Sequence, residues 1–187
     1  GGLVGTSPFA THGTAYVDIK GGSGFNDSTA LEAADFEAAA DATQVAVMTE
    51  APANLAWSEA TLNASGLAHI NRTGTTQLRI YFSSDDDDDA TQDHMGYYSS
   101  EAVNSDRWPK LVVGYSPPYV AAYTSIAAED GYVTESSETS NTGGTVTAGS
   151  STTGIRHGDT AADEQVKGFL SFDTSSLPDD ATIVSAS

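Results

Sequence analysis

The chain contains no cysteine, which excludes a disulfide scaffold, an iron–sulfur site and a thiolate-bound zinc together. Positive charge is scarce as well. Lys and Arg number 7 against 26 Asp and Glu, for a formal net charge of −19 and an isoelectric point near 4.1. No basic patch is present to displace counterions from phosphate, so nucleic acid is not an expected partner. Anionic membrane surfaces are disfavoured by the same sign. No apolar run approaches the ~20 residues that span a bilayer, and no membrane insertion is expected. The opening Gly1-Gly2-Leu3-Val4 lacks the charged start of a signal peptide, so the chain reads as a mature fragment of something longer.

What is abundant is Gly, Ser, Thr, Ala and Asp, a composition that points to an extracellular or cell-surface protein. Hydrophobic residues make up 39 % of 187, enough for a core, though a thin one. A chain this acidic repels itself and is expected to gain stability from salt or bound divalent cations.

Short strands dominate the pattern. Tyr16 or Val17 with Ile19 marks one before Gly21-Gly22-Ser23-Gly24 breaks it. Asp27-Ser28-Thr29 ahead of the Ala-rich run Ala30–Ala40 predicts a short helix. A second is predicted over Ser65–Asn71, where Leu67 and Ile70 lie three apart. In Thr75–Ser83, Leu78, Ile80 and Phe82 alternate with Gln77, Arg79 and Tyr81, which predicts a strand with one buried and one wet face. His94–Tyr98 and Lys110–Tyr115 read as further strands. Past Ser116-Pro117-Pro118 the character changes. Tyr119–Ala128 reads as a linker or an exposed strand, and Gly131–Thr134, Val166–Phe172 and Ala181–Ser187 as short strands between turn signals. The fold class that follows is all-β, an antiparallel jelly-roll-like β-sandwich with one or two short helices.

The segment Gly168-Phe169-Leu170-Ser171-Phe172-Asp173-Thr174-Ser175-Ser176-Leu177-Pro178 with Ala181-Thr182-Ile183 resembles the signature of DNRLRE-type domains. These are extracellular β-sandwich modules close to a carbohydrate-binding module family and to disaggregatase-related repeats. Asn63–Gly74, the strand Gln77–Phe82, the aspartate run after it and Arg107–Val113 resemble the later half of the same domain. The order is reversed here, since the "GFLSFD" part comes last. The resemblance therefore implies that residues 1–118 are the back of one repeat, 119–127 a linker, and 128–187 the front of the next. The last segment would complete a sandwich in cis, or in a neighbouring copy. Head-to-tail completion in trans makes an open filament, and it would cover strand edges that are otherwise an aggregation liability.

Ser83-Ser84-Asp85-Asp86-Asp87-Asp88-Asp89-Ala90 is the strongest chemical feature. With Asp93 it offers a concentration of carboxylates of the kind that binds Ca²⁺, which takes six to eight oxygen ligands. The spacing is not that of an EF-hand, because Ala90 stands where the sixth-position Gly belongs and no Glu occupies the twelfth. A solvated acidic loop is the plain alternative. The resemblance places an acidic loop here and makes Asp130 a second candidate. His12, His69, His94 and His157 show no metal spacing. There is no Gly-x-Ser-x-Gly elbow, and no enzyme is expected; a polysaccharide-degrading enzyme would need a cleft with two carboxylates at catalytic separation. Trp57, Trp108, Tyr97 and Tyr98 are the candidates for stacking on sugar, with Trp108 the one expected to be exposed. Asn26, Asn63 and Asn71 head glycosylation sequons. Taken together, these features predict a calcium-stabilised repeat unit of an extracellular filament, sheath or adhesin. The alternative is a module that attaches a larger protein to polysaccharide.

Overall fold

A computed structural model describes residues 2–116, 119–149 and 154–187. Its strands are β1 Leu3–Val4, β2 Ala15–Lys20, β3 Ala42–Val47, β4 Thr75–Phe82, β5 His94–Tyr97, β6 Lys110–Ser116, β7 Tyr119–Thr124, β8 Gly131–Glu135, β9 Gly143–Ala148, β10 Ile155–Asp159, β11 Gln165–Asp173 and β12 Thr182–Ala186. The two α-helices, α1 Pro8–Thr11 and α2 Ala64–Ala68, are single turns. The strands form two antiparallel sheets. The larger runs β1-β5-β10-β11-β4-β2-β3, with β8 and then β9 added along the other side of β11, and the smaller is β12-β6-β7. This is an all-β sandwich.

β11 is the seam of the molecule. Gly168 pairs with Ile80 of β4 on one side and Tyr132 of β8 on the other. Alternation along β11 then serves two cores. Leu170 and Phe172 face the small sheet and join Val17, Ile19, Leu78, Ile80, Leu111 and Val113. Phe169 faces the other way, onto Phe25, Leu31, Phe36 and Val133, with its ring edge-on to Phe25 at 5.7 Å. Strands from the last third of the chain thus pair with strands from the first half in the same molecule. Within 119–127, Tyr119–Thr124 forms β7, paired with β6 along its length, and Ser125 then bridges to Phe172. The proline pair 117–118 lies outside the described residues.

Two expectations are corrected here. The Ala30–Ala40 run is not a helix: it makes only the 3-10 turn Ala33–Phe36, closed by a capping box between Glu32 and Asp35. Carbonyls that a helix would have used point elsewhere. Those of Asp35, Phe36 and Ala38 accept from Arg79 Nη1 at 2.9–3.1 Å, and Phe36 also accepts from Lys167 Nζ at 3.1 Å. The second correction follows from the first. The face of β4 expected to be wet lies under this segment, so Gln77 is 0 % and Arg79 7 % exposed. Gln77 Oε1 accepts from the Phe25 amide at 2.7 Å, while Arg79 Nη2 donates to Asp18 Oδ2 at 2.7 Å. Buried polar groups are tolerated when hydrogen-bonded in this way. The helix α2 forms where expected, with Asn63 capping the Ser65 and Gly66 amides.

Candidate functional site

The aspartate run lies in the loop between β4 and β5, and the loop closes on itself before it reaches anything else. Asp85 Oδ1 accepts from the Asp86 amide, Asp86 Oδ1 from Asp88, and Asp89 Oδ1 from both the amide and hydroxyl of Thr91. Asp88 and Ala90 take left-handed backbone, φ 56° and 55°, which Asp tolerates better than most residues. The loop separates its carboxylates into groups. Asp87, Asp89 and Asp93 offer oxygens within 4.8 Å of one another, and so do Asp87, Asp159 and Asp163. Asp86 and Asp88 instead approach Glu138. Asp85 joins none of these groups.

Asp159 ends β10 and Asp163 sits in the turn to β11; neither was a candidate from the sequence. The only local signal was two acids four apart in a turn, hidden in a chain with 26 of them. Position comes from the sheet. β10 lies against β5 so closely that a Cβ on Gly158 (φ +130°) would stand 2.4 Å from the Asp93 carbonyl oxygen. The Asp93 amide donates to Asp159 Oδ1 at 2.9 Å, and the Asp159 amide donates back to the Asp93 carbonyl at 3.2 Å. Asp93 is held from its other side by the Thr6 amide at 2.6 Å. Buried His12 places Nε2 3.1 Å from Asp159 Oδ1.

Electrostatically the carboxylates differ from one another. Burial raises Asp159 above the usual carboxylate range. Burial and the neighbouring Asp85 push Asp86 up to about 6, while hydrogen bonds from Thr91 hold Asp89 below its usual value. Asp130 is elsewhere. It is buried beside β11, where Oδ1 accepts from the Ser171 amide at 3.1 Å, and burial pushes it up to about 7. The structure does not bring Asp130 to the aspartate loop.

The aromatic candidates meet a second feature. A groove of about 1160 Å³ opens between the sheets, floored by Val17, Leu78, Ile80, Leu170 and Phe172 and edged by Trp57, Tyr97, Tyr98, Arg107 and Lys110. Trp57 is 47 % exposed, with Lys110 Nζ 5.5 Å from its ring centre. Arg107 lies over Tyr98 at 5.4 Å and donates to its hydroxyl. Tyr97 packs parallel to buried His157, and its hydroxyl lies 2.8 Å from His157 Nε2; burial pushes it up to about 12. Trp108, expected to be the exposed ring, is half-buried, donates from Nε1 to the Ala102 carbonyl at 2.7 Å and does not line the groove. Of the sequon residues, Asn26 and Asn63 are exposed. Asn63 caps α2, and Asn71 uses its Nδ2 to donate to the Thr75 carbonyl at 3.1 Å.

Comparisons with protein-family models, with curated proteins and with solved structures find no match to this chain. Among the described residues no helix is long and apolar enough to cross a membrane.

Proposed function

We propose that this chain is a structural building block of an extracellular or cell-surface assembly, a filament, sheath or adhesin, in which copies join head-to-tail and calcium stiffens each unit. The observation that carries this reading is the construction of the acidic loop. Asp85, Asp88 and Asp89 are exposed, but half-buried Asp87 brings the run against buried Asp159 of a distant strand, whereas a purely solvated charge run would stand clear of the protein. Like charges brought together and taken out of water cost free energy unless a cation joins them.

The join between copies is assigned to strand complementation at the groove. It has an apolar floor and an open mouth, with Leu111 and Val112 of β6 in its wall. A unit whose large sheet closes within one chain needs no neighbour to fold. Copies then associate through the groove and not by sharing half a domain.

A second reading rests on the groove's rim. Trp57 stands 47 % exposed at the rim, and an exposed aromatic ring is what a polysaccharide-binding module offers to sugar. Negative-stain microscopy of the purified chain with and without EGTA separates the two. Filaments that come apart on chelation support the building block. Monomers in both conditions overturn it, and retention on a polysaccharide column that is lost in Trp57→Ala then establishes the module.

A further inference from the structure

We infer that Asp87, Asp159 and Asp163 form one divalent-cation site that locks the β4–β5 loop onto the β10–β11 turn, and so fastens the back of the chain to its front. This inference rests on the calcium reading above and adds ligands, and a mechanical role, that the aspartate run alone does not contain.

Acidic residues crowd together on many surfaces without binding anything. Here a separate observation points to a ligand. Asp159 is 0 % exposed, and its Oδ2 has no hydrogen-bond partner. Its Oδ1 is already engaged by the Asp93 amide, which holds the carboxylate in place and leaves the second oxygen for something else. Asp87 Oδ1 is likewise shielded from solvent and unpartnered. Among the described residues, no Lys or Arg forms an ion pair with Asp87, Asp89, Asp93, Asp159 or Asp163; the one basic side chain paired with them is His12, on Asp159.

The geometry selects the class of ion. Donors that are all carboxylate oxygen suit a hard cation. Their mutual separations, all within 4.8 Å, do not exceed the span across a Ca²⁺ ion with oxygens at about 2.4 Å on either side. Mg²⁺ holds its ligands at about 2.1 Å in a strict octahedron and sheds water reluctantly, so it fits a loop and a turn from different strands less well. Asp87 also belongs to the group with Asp89 and Asp93, which places those two carboxylates beside the ion. The two segments already touch, for Asp163 Oδ1 accepts from the Ala90 amide at 3.1 Å. An ion between Asp87 and the pair Asp159 and Asp163 adds a lock to that contact and to the Asp93–Asp159 hydrogen bonds.

The test uses the intact chain and Ca²⁺ alone, with Mg²⁺ as comparison. Calorimetry measures affinity, and hydrogen–deuterium exchange reads protection peptide by peptide. Calcium is expected to slow exchange both in 85–93 and in 155–165, and to leave β7 unchanged. Asp163→Asn and Asp159→Asn are expected to lower Ca²⁺ affinity at least tenfold, a factor of about the size that even ligand-supporting residues command, while Asp85→Asn leaves it unchanged. Asp163 is only half-buried, so its variant keeps the test alive if Asp159→Asn fails to fold. If calcium binds but neither variant weakens it, or if protection stays within 85–93, the lock is refuted and the calcium reading survives. If the wild-type chain binds no calcium, both fall.

Discussion

Asp130 is the place where a rise toward neutral pH should cost this protein stability. It is fully buried against β11, and burial moves its carboxyl from the ordinary 3.8 up to about 7. Between those values the folded state keeps a proton that the unfolded state has released. Stability from this group is therefore complete at low pH and is lost as the pH rises toward and through 7. The displacement corresponds to about 4 kcal/mol once the group is fully charged, a large share of the 5–15 kcal/mol that typically holds a domain together. Asp130→Asn removes the titration while keeping an oxygen for the Ser171 amide, the bond that Oδ1 now accepts at 3.1 Å. Urea unfolding of the two proteins in EGTA, over a pH series from below 4 to above 7, should give curves that diverge. The variant is expected to be comparable in acid and more stable by up to about 4 kcal/mol above pH 7. Parallel curves would refute the reasoning. So would a variant that is less stable than wild type only when Ca²⁺ is added, since Asp130 would then be a ligand rather than a buried acid.

Two further outcomes test the interior. Arg79→Met strips Asp18 of its guanidinium and removes the Arg79 donor from the carbonyls of Asp35, Phe36 and Ala38, of which Phe36 keeps Lys167; chemical denaturation should show a loss of about 3–5 kcal/mol, the usual cost of breaking a buried ion pair from one side. A loss under about 1 kcal/mol would mean that the 25–40 segment does not cover β4. His157, stacked on Phe82 at 4.6 Å and on Tyr97 at 5.1 Å, is held by burial down to about 3. Its contribution is full above its ordinary 6.5 and is lost as the pH falls toward 3, the opposite sense to Asp130. An imidazole signal assigned to His157 that titrates near 6.5 in the folded protein contradicts this burial.

Alternation made much of the framework readable in advance. Leu78, Ile80 and Phe82 mark β4, and the runs around Val112 and Phe169 mark β6 and β11, because apolar residues at every second position face a core whatever else surrounds them. β10 carried no such mark. Ile-Arg-His-Gly-Asp hides a buried strand because His157 and Asp159 occupy interior positions that apolar residues usually take. The Ala30–Ala40 run misled for a related reason. Helix propensity is a local quantity, and here the backbone carbonyls were claimed by Arg79 and Lys167, from strands far away in sequence. The acidic loop was legible as a cation candidate, yet only half of its surroundings were. Asp87, Asp89 and Asp93 lie within a few residues of one another, whereas Asp159 and Asp163 reach them only through the pairing of β10 with β5.

That β4 finds its central partner in β11, with Leu78 set against Leu170, governs how the molecule comes into being. During synthesis the first half emerges with β4 unable to close its sheet, since the strand that belongs beside it has not been made. Pairings this distant carry a heavy entropy of loop closure and fold slowly. The large sheet therefore cannot be completed until β11 has been made, well after β4.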